Sequence, residues 1–338
     1  MRRTVTTNQQ SYPVIIQTGS SERFNFSTPA VVVCDRQVQR SYPKLLPQYR
    51  RVILPDGEAN KRLRTIEWLC LRLLKLGCDR STSLIGIGGG VVGDMVGFTA
   101  AVFMRGVPYY HVPTTLLAMV DSSIGGKTGV DLSLGKNLIG TTYQPMAVIS
   151  DPRFLLTLSA EQFSNGLAEV IKHAVLEPSL LSWIEQHRSQ IQRRHLPTLQ
   201  QLISRNVEIK AAIVAADEHE TLQRMLLNLG HTFGHAFEKL SRYTIPHGQA
   251  VAIGLMYAMS YTAMPQHQRV AKLLQQFDLP IRLPRPYSPR AIVQAMHHDK
   301  KHRGNYITLV VPLQLGHVRI DQTVTPAHLL RFLQHYHG

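Results

Sequence analysis

Short runs of β-branched and apolar residues alternate with helix-period patterns over the first 150 or so residues, and nothing else in the sequence restricts the fold as strongly. Such alternation is the mark of a mostly parallel sheet with helices on its faces. Strands are expected at Pro13 to Gln17, Ala30 to Cys34, Arg51 to Leu54, Ser83 to Ile87, Tyr109 to Val112 and Ala147 to Ser150. Between two of them Leu63, Ile66, Leu69, Cys70, Leu73, Leu74 and Leu76 recur at helical spacing, and Gly77 closes the run as a C-terminal cap does.

After Asp151-Pro152 the strand signal fades. Helix-compatible stretches follow at Ala160 to Leu176, Leu180 to Arg193, Leu196 to Ala216, Gln223 to Leu240 and Gly248 to Ala263. A late β-like run, Tyr306 to Pro312, with Gly316 and Val318 to Ile320, reads as a small hairpin. At 338 residues the chain exceeds what one core usually supports, so two domains are expected: an α/β domain over 1–158 and a mainly helical domain over 159–338, packed around a shared cleft. No solenoid-length repeat and no Gly/Ser linker interrupts them.

Apolar residues make up 44% and charged residues 17%, the balance of a globular chain. The 37 Lys+Arg against 22 Asp+Glu give a formal +15, which admits nucleic acid, an anionic membrane or a small anionic ligand. The cations are scattered in ones and twos (Arg2-Arg3, Arg50-Arg51, Arg193-Arg194, Lys300-Lys301), without the dense basic stripe and interleaved aromatics of a nucleic-acid face. Nucleic acid is therefore disfavoured, but charge alone does not choose among the rest. Cys34, Cys70 and Cys78 form no C-x-x-C and sit in apolar stretches, as reduced thiols do, which favours a cytosol. The polar segment Thr4 to Ser11 after Met1-Arg2-Arg3 gives no secretory signal, and Val91 to Phe103, which contains Asp94, is too short for a membrane span. A soluble cytoplasmic protein is expected.

The stretch from Ser83 to Asp94 runs out of an apolar strand, through Gly86, Gly88, Gly89 and Gly90, into an apolar helix. Glycines there let backbone N–H groups approach a pyrophosphate at the positive end of a helix. Gly88-x-Gly90-x-x-Gly93 matches the dinucleotide fingerprint, although a tight strand-to-helix turn explains it equally well. The loop follows roughly the fourth expected strand rather than the first, so a ribose-binding acid has to come from earlier in the chain: Asp35, or Asp56-Gly57-Glu58.

Val120 to Gly129 looks like part of a P-loop, but the first glycine of that motif would fall on Asp121. With Gly135-Lys136-Asn137, the segment offers Lys127, Lys136 and an amide on glycine-loosened loops, which suits a phosphate or carboxylate; lysines on solvated turns are the other reading. Further on, His231 and His235 stand at i and i+4 on one helical face, a spacing that can hold a metal. Thr232 replaces the glutamate of a zincin. His247 opens the next helix, and Glu169 is a carboxylate in an otherwise apolar helical run. Two or three imidazoles and one carboxylate fit a catalytic divalent site such as zinc, while most of the 16 histidines read as solvated surface.

Taken together, Gly-Gly-Gly-Val-Val-Gly-Asp (88–94), Arg-Gly-Val from Arg105, Val-Pro-Thr-Thr-Leu-Leu (112–117), Val-Asp-Ser-Ser-Ile-Gly-Gly-Lys-Thr (120–128), Gly-Lys-Asn (135–137), Gly-Leu-Ala-Glu-Val-Ile-Lys (166–172), Asn-Leu-Gly-His-Thr-Phe-Gly-His-Ala (228–236) and His247-Gly248 resemble the 3-dehydroquinate synthase family in order and spacing, over roughly residues 12 to 320. The resemblance implies an N-terminal Rossmann-like domain, a helical C-terminal domain and an active site in the cleft between them. It implies one zinc or cobalt ion held by Glu169, His231 and His247, with His235 turned instead to a substrate phosphate. NAD+ contacts are implied for Asp35, Asp56, Gly57, Glu58, Lys61, Gly90, Val91, Val92, Gly93, Asp94, Thr114, Thr115, Lys127, Lys136, Phe154, Leu155, Leu156 and Thr157. Substrate contacts are implied for Asp121, Lys127, Asn137, Lys172, Lys210, Arg224, Asn228, His235 and Lys300, the last interchangeable with Lys301. The resemblance further implies that Arg105 reaches in from a partner subunit, and with it a homodimer. Gln249 stands where the family usually has Glu, removing a charge beside a metal ligand.

The activity so implied takes 3-deoxy-D-arabino-heptulosonate 7-phosphate to 3-dehydroquinate and phosphate, a step of the shikimate pathway toward aromatic amino acids. Two neighbouring readings compete. A sugar phosphate cyclase for a substrate without a carboxylate leaves Arg224 and Asn228 unexplained, and a metal-dependent polyol dehydrogenase leaves the lysine loops unexplained.

Overall fold

The computed structural model describes residues 1–8, 10–297 and 306–336. The chain forms two compact units, the first from residues 1–159 with 193–219, the second from 160–192 with 220 onward. It therefore crosses between them at three places, where one crossing at 158/159 is expected from sequence.

The first unit is built on strands β1 (Arg2–Thr6), β2 (Ser11–Ile16), β3 (Ala30–Asp35), β4 (Arg50–Leu54), β5 (Ser83–Gly88), β6 (Tyr109–Pro113), β7 (Lys127–Leu132), β8 (Gly135–Thr142) and β9 (Ala147–Ser150). Its helices are α1 (Ser20–Arg23), α2 (Arg36–Ser41), α3 (Leu63–Lys75) and α4 (Gly90–Val102). Seven strands form one sheet in the order β1-β2-β9-β6-β5-β3-β4, parallel except where β1 pairs antiparallel with β2. The inner strands β5, β6 and β9 are buried throughout and β3 nearly so, as parallel strands covered on both faces must be. Helix α3 buries Ile66, Leu69 and Leu73, and Gly77 ends it with φ 72°, leaving the N–H of Cys78 to reach the carbonyl of Leu73 at 3.1 Å.

Two elements depart from the sequence reading. The polar segment after Met1 is strand β1, in which only Val5 faces inward, while Arg3 Nε donates to Ser204 Oγ at 2.9 Å. Ser204 lies on α7 (Leu196–Ala216), the helix that packs beside β1 and so joins the first unit. The lysine loops are not loops: β7 and β8 pair antiparallel as a hairpin that begins at Lys127 and carries Lys136 and Asn137 on its second strand.

The second unit contains α5 (Ala160–Leu176), α6 (Pro178–Gln192), α8 (His231–Leu240), α9 (His247–Tyr261), α10 (His267–Gln276), α11 (Pro289–His297), the hairpin β10 (Ile307–Gln314) with β11 (His317–Val324), and α12 (Pro326–His335). The single helix expected from Gln223 to Leu240 is instead a 3-10 segment, Gln223–Asn228, followed by α8, because Gly230 at φ 77° breaks the run. Lys300 and Lys301 lie outside the described residues. No helix among the described residues is long and apolar enough to cross a membrane.

Candidate functional site

In the first unit the chain runs from β3 to β4 on one flank and then to β5 on the other. The carboxyl ends of β3 and β5 therefore bracket a topological switch point, where open α/β sheets bind ligands. Asp35 ends β3 and the Gly88–Gly90 turn ends β5. Asp35 caps α2, accepting from the N–H of Val38 at 2.7 Å, and Asp56 accepts from the N–H of Arg36 at 2.8 Å, so both acids are fixed at this edge. Gly57, at φ 88°, leads into the 3-10 turn that carries Glu58.

The amide end of α4, with Gly90, Val91 and Val92 in its first turn, faces the same edge, as an anion site requires. Gly93 has a separate role. A Cβ there would lie 2.1 Å from Cε1 of His111 on β6, so only glycine lets α4 sit this close to the sheet. His111 is 4% exposed, burial pulls its pKa to about 4, and its Nε2 has no hydrogen-bond partner among the described residues. It is a neutral ring wedged under the glycine loop, and sequence reasoning did not single it out.

Lys61 is the hub of the first unit's polar residues. It is 3% exposed, and its Nζ lies 2.5 Å from both Asp94 Oδ2 on α4 and Asn137 Oδ1 on β8. Burial pulls its pKa down, but Asp94, Glu58 and Asp131 together outweigh it and hold the ammonium above its usual range. Asn137, at φ 52°, donates its N–H to Asp131 Oδ1 at 2.7 Å, and Lys136 lies 3.8 Å from Glu58. Thr114 is tied by its N–H to the carbonyl of Gly88 at 2.9 Å, and Thr115 Oγ1 accepts from the N–H of Ala118 at 3.2 Å. The Phe154 ring packs edge-on against Tyr42 and Thr157 shares a 2.6 Å hydrogen bond with the Tyr42 hydroxyl; Leu155 is buried and Leu156 exposed. Lys210 reaches from α7 to Asp121 Oδ1 at 2.7 Å. Lys127 and Arg105 are exposed, the latter at φ 67°.

In the second unit three helices bring together one carboxylate and two imidazoles. Glu169, on α5, is fully buried, with Oε1 3.4 Å from His231 Nε2 and 3.3 Å from His247 Nε2. Donor atoms of these three residues lie within 4.8 Å of one another. The approach depends on Gly248, where a Cβ would lie 2.2 Å from the carbonyl oxygen of Asn165 on α5, and on Gly254, where it would lie 2.1 Å from that of Gly230. Burial favours the protonated carboxyl of Glu169, but the interactions around it, led by the Lys172 ammonium 2.5 Å away, outweigh burial and keep the carboxylate ionised. Burial holds His231 neutral, with a pKa of about 4, and its Nδ1 lies 3.1 Å from the carbonyl of Leu229, so a proton placed on Nδ1 would turn the Nε2 lone pair to the Glu169 side. Burial pulls His247 down, but its hydrogen bonds with Glu169 and Glu238 raise it to about 10.

One ionised carboxylate and two converging Nε2 atoms match the ligand chemistry of a three-ligand zinc site, so these residues fit the ion that the sequence implies. The His235 ring centre lies 5.4 Å from that of His231 and 6.3 Å from that of His247. Arg224 is 2% exposed, and Asn228 donates its amide to Glu220 Oε1 at 2.7 Å. Glu238, 3% exposed with Oε2 3.5 Å from His247 Nδ1, was missed. The available signal was its place seven residues after His231, on the same helical face.

Known proteins agree with this architecture. Residues 51–165 match the family profile described as 3-dehydroquinate synthase N-terminal, and residues 166–302 the one described as 3-dehydroquinate synthase C-terminal. The 3-dehydroquinate synthase of Blochmanniella pennsylvanica is 41% identical over 335 residues, 92% of each chain. Among solved structures, a 2-deoxy-scyllo-inosose synthase complexed with carbaglucose-6-phosphate, NAD+ and Co2+ superposes with a TM-score of 0.88 at 24% identity, covering 99% of this chain and 100% of its own. A 2-epi-5-epi-valiolone synthase from Streptomyces hygroscopicus, with NAD+ and Zn2+ bound, gives 0.87 at 26% identity and 98% coverage of both chains. With its profile matches spanning both units and a curated relative at this identity, the chain belongs to the 3-dehydroquinate synthase family.

Proposed function

We propose that this chain catalyses its family's reaction, converting 3-deoxy-D-arabino-heptulosonate 7-phosphate to 3-dehydroquinate and phosphate by transient oxidation, phosphate elimination, re-reduction, ring opening and intramolecular aldol closure. The observation that carries the reading is the convergence of Glu169, His231 and His247 on a common point in a chain 41% identical to a curated synthase. When bound, NAD+ supplies a reversible hydride acceptor, and a zinc or cobalt ion held by Glu169, His231 and His247 supplies Lewis acidity at the alcohol being oxidised. The same two kinds of partner are found in the 2-epi-5-epi-valiolone synthase of the same fold.

The chain's own groups do the rest. Asp35, Asp56 to Glu58, Lys61, Gly90 to Asp94, Thr114, Thr115, Lys127, Lys136 and Phe154 to Thr157 form the dinucleotide surface, with pyrophosphate at the amide end of α4. Lys127, Asn137, His235, Lys300 and, from a partner subunit, Arg105 hold the substrate phosphate. Held there, the phosphate itself can take the proton released beside the transient ketone, so no separate protein base is required. Lys210, Arg224 and Asn228 orient the carboxylate, Arg224 by a bidentate pair. Asp121 steadies Lys210, as the 2.7 Å contact suggests, and Lys172 keeps Glu169 ionised. The active species is a homodimer, because Arg105 belongs to the partner's site, and its partners are small molecules rather than nucleic acid or membrane.

Purified protein given heptulosonate phosphate, catalytic NAD+ and Zn2+ or Co2+ releases phosphate without net NADH. Accumulation of NADH would identify a polyol dehydrogenase instead, and turnover only of a phosphosugar lacking a carboxylate would identify another cyclase.

A further inference from the structure

We infer that Glu238 is a positioning residue for the metal centre: its carboxylate accepts the Nδ1 proton of His247 and thereby commits Nε2 of that ring to the ion. The inference rests on the metal assignment made above. It starts from a contrast between the two imidazoles. His231 is oriented by a backbone group, its Nδ1 facing the Leu229 carbonyl at 3.1 Å. His247 opens α9 directly after Pro246, with its side chain 34% exposed, and the acceptor in reach of its Nδ1 is Glu238 Oε2 at 3.5 Å. Both rings point Nε2 at the same oxygen, Glu169 Oε1.

Glu238 is placed for that task. It is 3% exposed on the last turns of α8, two turns beyond His231 on the same face. The turn is itself anchored, since the N–H of Tyr243 and the hydroxyl of Ser241 donate to the Glu238 carbonyl at 2.7 and 2.9 Å. A buried carboxylate is costly unless something donates to it. The Nδ1–H of His247 is one such donor, and the carboxylate in return fixes the tautomer and makes Nε2 a stronger donor to a cation. The competing arrangement is a second ion, because His235, Glu238 and His247 also bring donor atoms within 4.8 Å of one another. An ion on Nδ1 would displace the proton, so the two arrangements exclude each other and metal stoichiometry separates them.

The test compares full-length wild type with Glu238→Gln, Glu238→Ala and Glu169→Gln, each loaded with Zn2+ or Co2+. Zinc affinity is measured by chelator competition, metal content by elemental analysis, ligand geometry by the visible spectrum of the Co2+ form, and NAD+ affinity by titration. Glu238→Gln keeps the size and shape of the side chain, so it guards against an alanine variant that fails to fold. One ion per chain in both proteins, zinc bound about 10–100-fold more weakly in Glu238→Gln, shifted Co2+ bands and an NAD+ affinity within about twofold of wild type support the inference. Unchanged zinc affinity in Glu238→Gln, beside a large loss in Glu169→Gln, overturns it and leaves the metal centre standing. Two ions in wild type and one in Glu238→Gln overturn it in favour of the second site. Failure of wild type to hold any stoichiometric ion overturns both it and the metal assignment.

Discussion

Replacing Gly93 by alanine separates two roles that the glycine loop combines. The added Cβ would lie 2.1 Å from Cε1, 2.5 Å from Nε2 and 3.0 Å from Nδ1 of His111. Carbon atoms rest about 3.5–4.0 Å apart, so ring or helix has to shift by about 1.4 Å or more. Neither has room: His111 is 4% exposed, and its strand is paired on both sides, with Gly86 of β5 and Val148 of β9 as its partners. Overpacking of this kind costs about 1–3 kcal/mol, and the closed surroundings put Gly93→Ala at the upper end, about 3 kcal/mol. At roughly 2–4 °C per kcal/mol for a unit of this size, the melting temperature should drop by about 6–12 °C. Thermal and urea unfolding of Gly93→Ala, His111→Ala and the double variant form a cycle in which the double variant recovers about 1.5 kcal/mol or more, because removing the ring makes room for the methyl. A loss within about 0.5 kcal/mol for Gly93→Ala, or strict additivity in the double variant, would refute the packing role. If the double variant regains stability and still binds NAD+, the glycine is there for the sheet rather than for the cofactor.

His111 also sets a pH dependence: its pKa is about 4 when folded against an ordinary 6.5, so the unfolded chain takes up a proton first between those values and stability falls as pH drops through that window. The loss approaches about 3 kcal/mol at its acid end, and urea titrations at pH 7 and 5 should show a smaller difference for His111→Leu than for wild type; an equal difference would contradict it. Lys61→Met strands the Asp94 carboxylate and should cost about 3–5 kcal/mol in urea unfolding, with much of the loss recovered when Asp94 is also made Leu; a neutral single variant would remove Lys61 from its central place. Glu169→Gln and His247→Ala should each lose bound metal and metal-dependent turnover while keeping NAD+ affinity, and full activity in either after chelation and reloading would end the ligand assignment.

What could be read from the sequence followed from burial. Strands β3, β5, β6 and β9 announce themselves because covered parallel strands are continuous apolar runs. β1 hides because only Val5 turns inward, and β8, with exposed positions at Asn137, Leu138, Gly140 and Thr141, has no buried face to write an alternation. The helix-period pattern around Gln223 to Leu240 is continuous through Gly230, so only the left-handed backbone there reveals the break. Periodicity showed α7 to be a helix but carries nothing about the unit it joins. At the candidate metal centre, Glu169 was conspicuous as a lone carboxylate among apolar neighbours, whereas local spacing paired His231 with His235. The contact between His247 and Glu169 depends on Gly248 lying against the backbone of Asn165, a long-range approach that no local pattern encodes.

Deep burial of so many polar groups at that centre calls for a reason beyond packing. Glu169, Lys172 and Glu238 are all at most 3% exposed, and burial keeps His231 neutral at neutral pH. Lys172 Nζ lies 2.5 Å from Glu169 Oε2. Buried ion pairs stabilise a fold little better than apolar residues of the same size would, so stability alone does not account for assembling them. His247 lies between two carboxyl groups, its Nε2 3.3 Å from Glu169 and its Nδ1 3.5 Å from Glu238. A divalent ion held by Glu169, His231 and His247, as proposed above, would give this buried cluster a purpose. An apolar filling would have met the needs of the core, whereas a carboxylate with two converging imidazoles is what the proposed metal site would need.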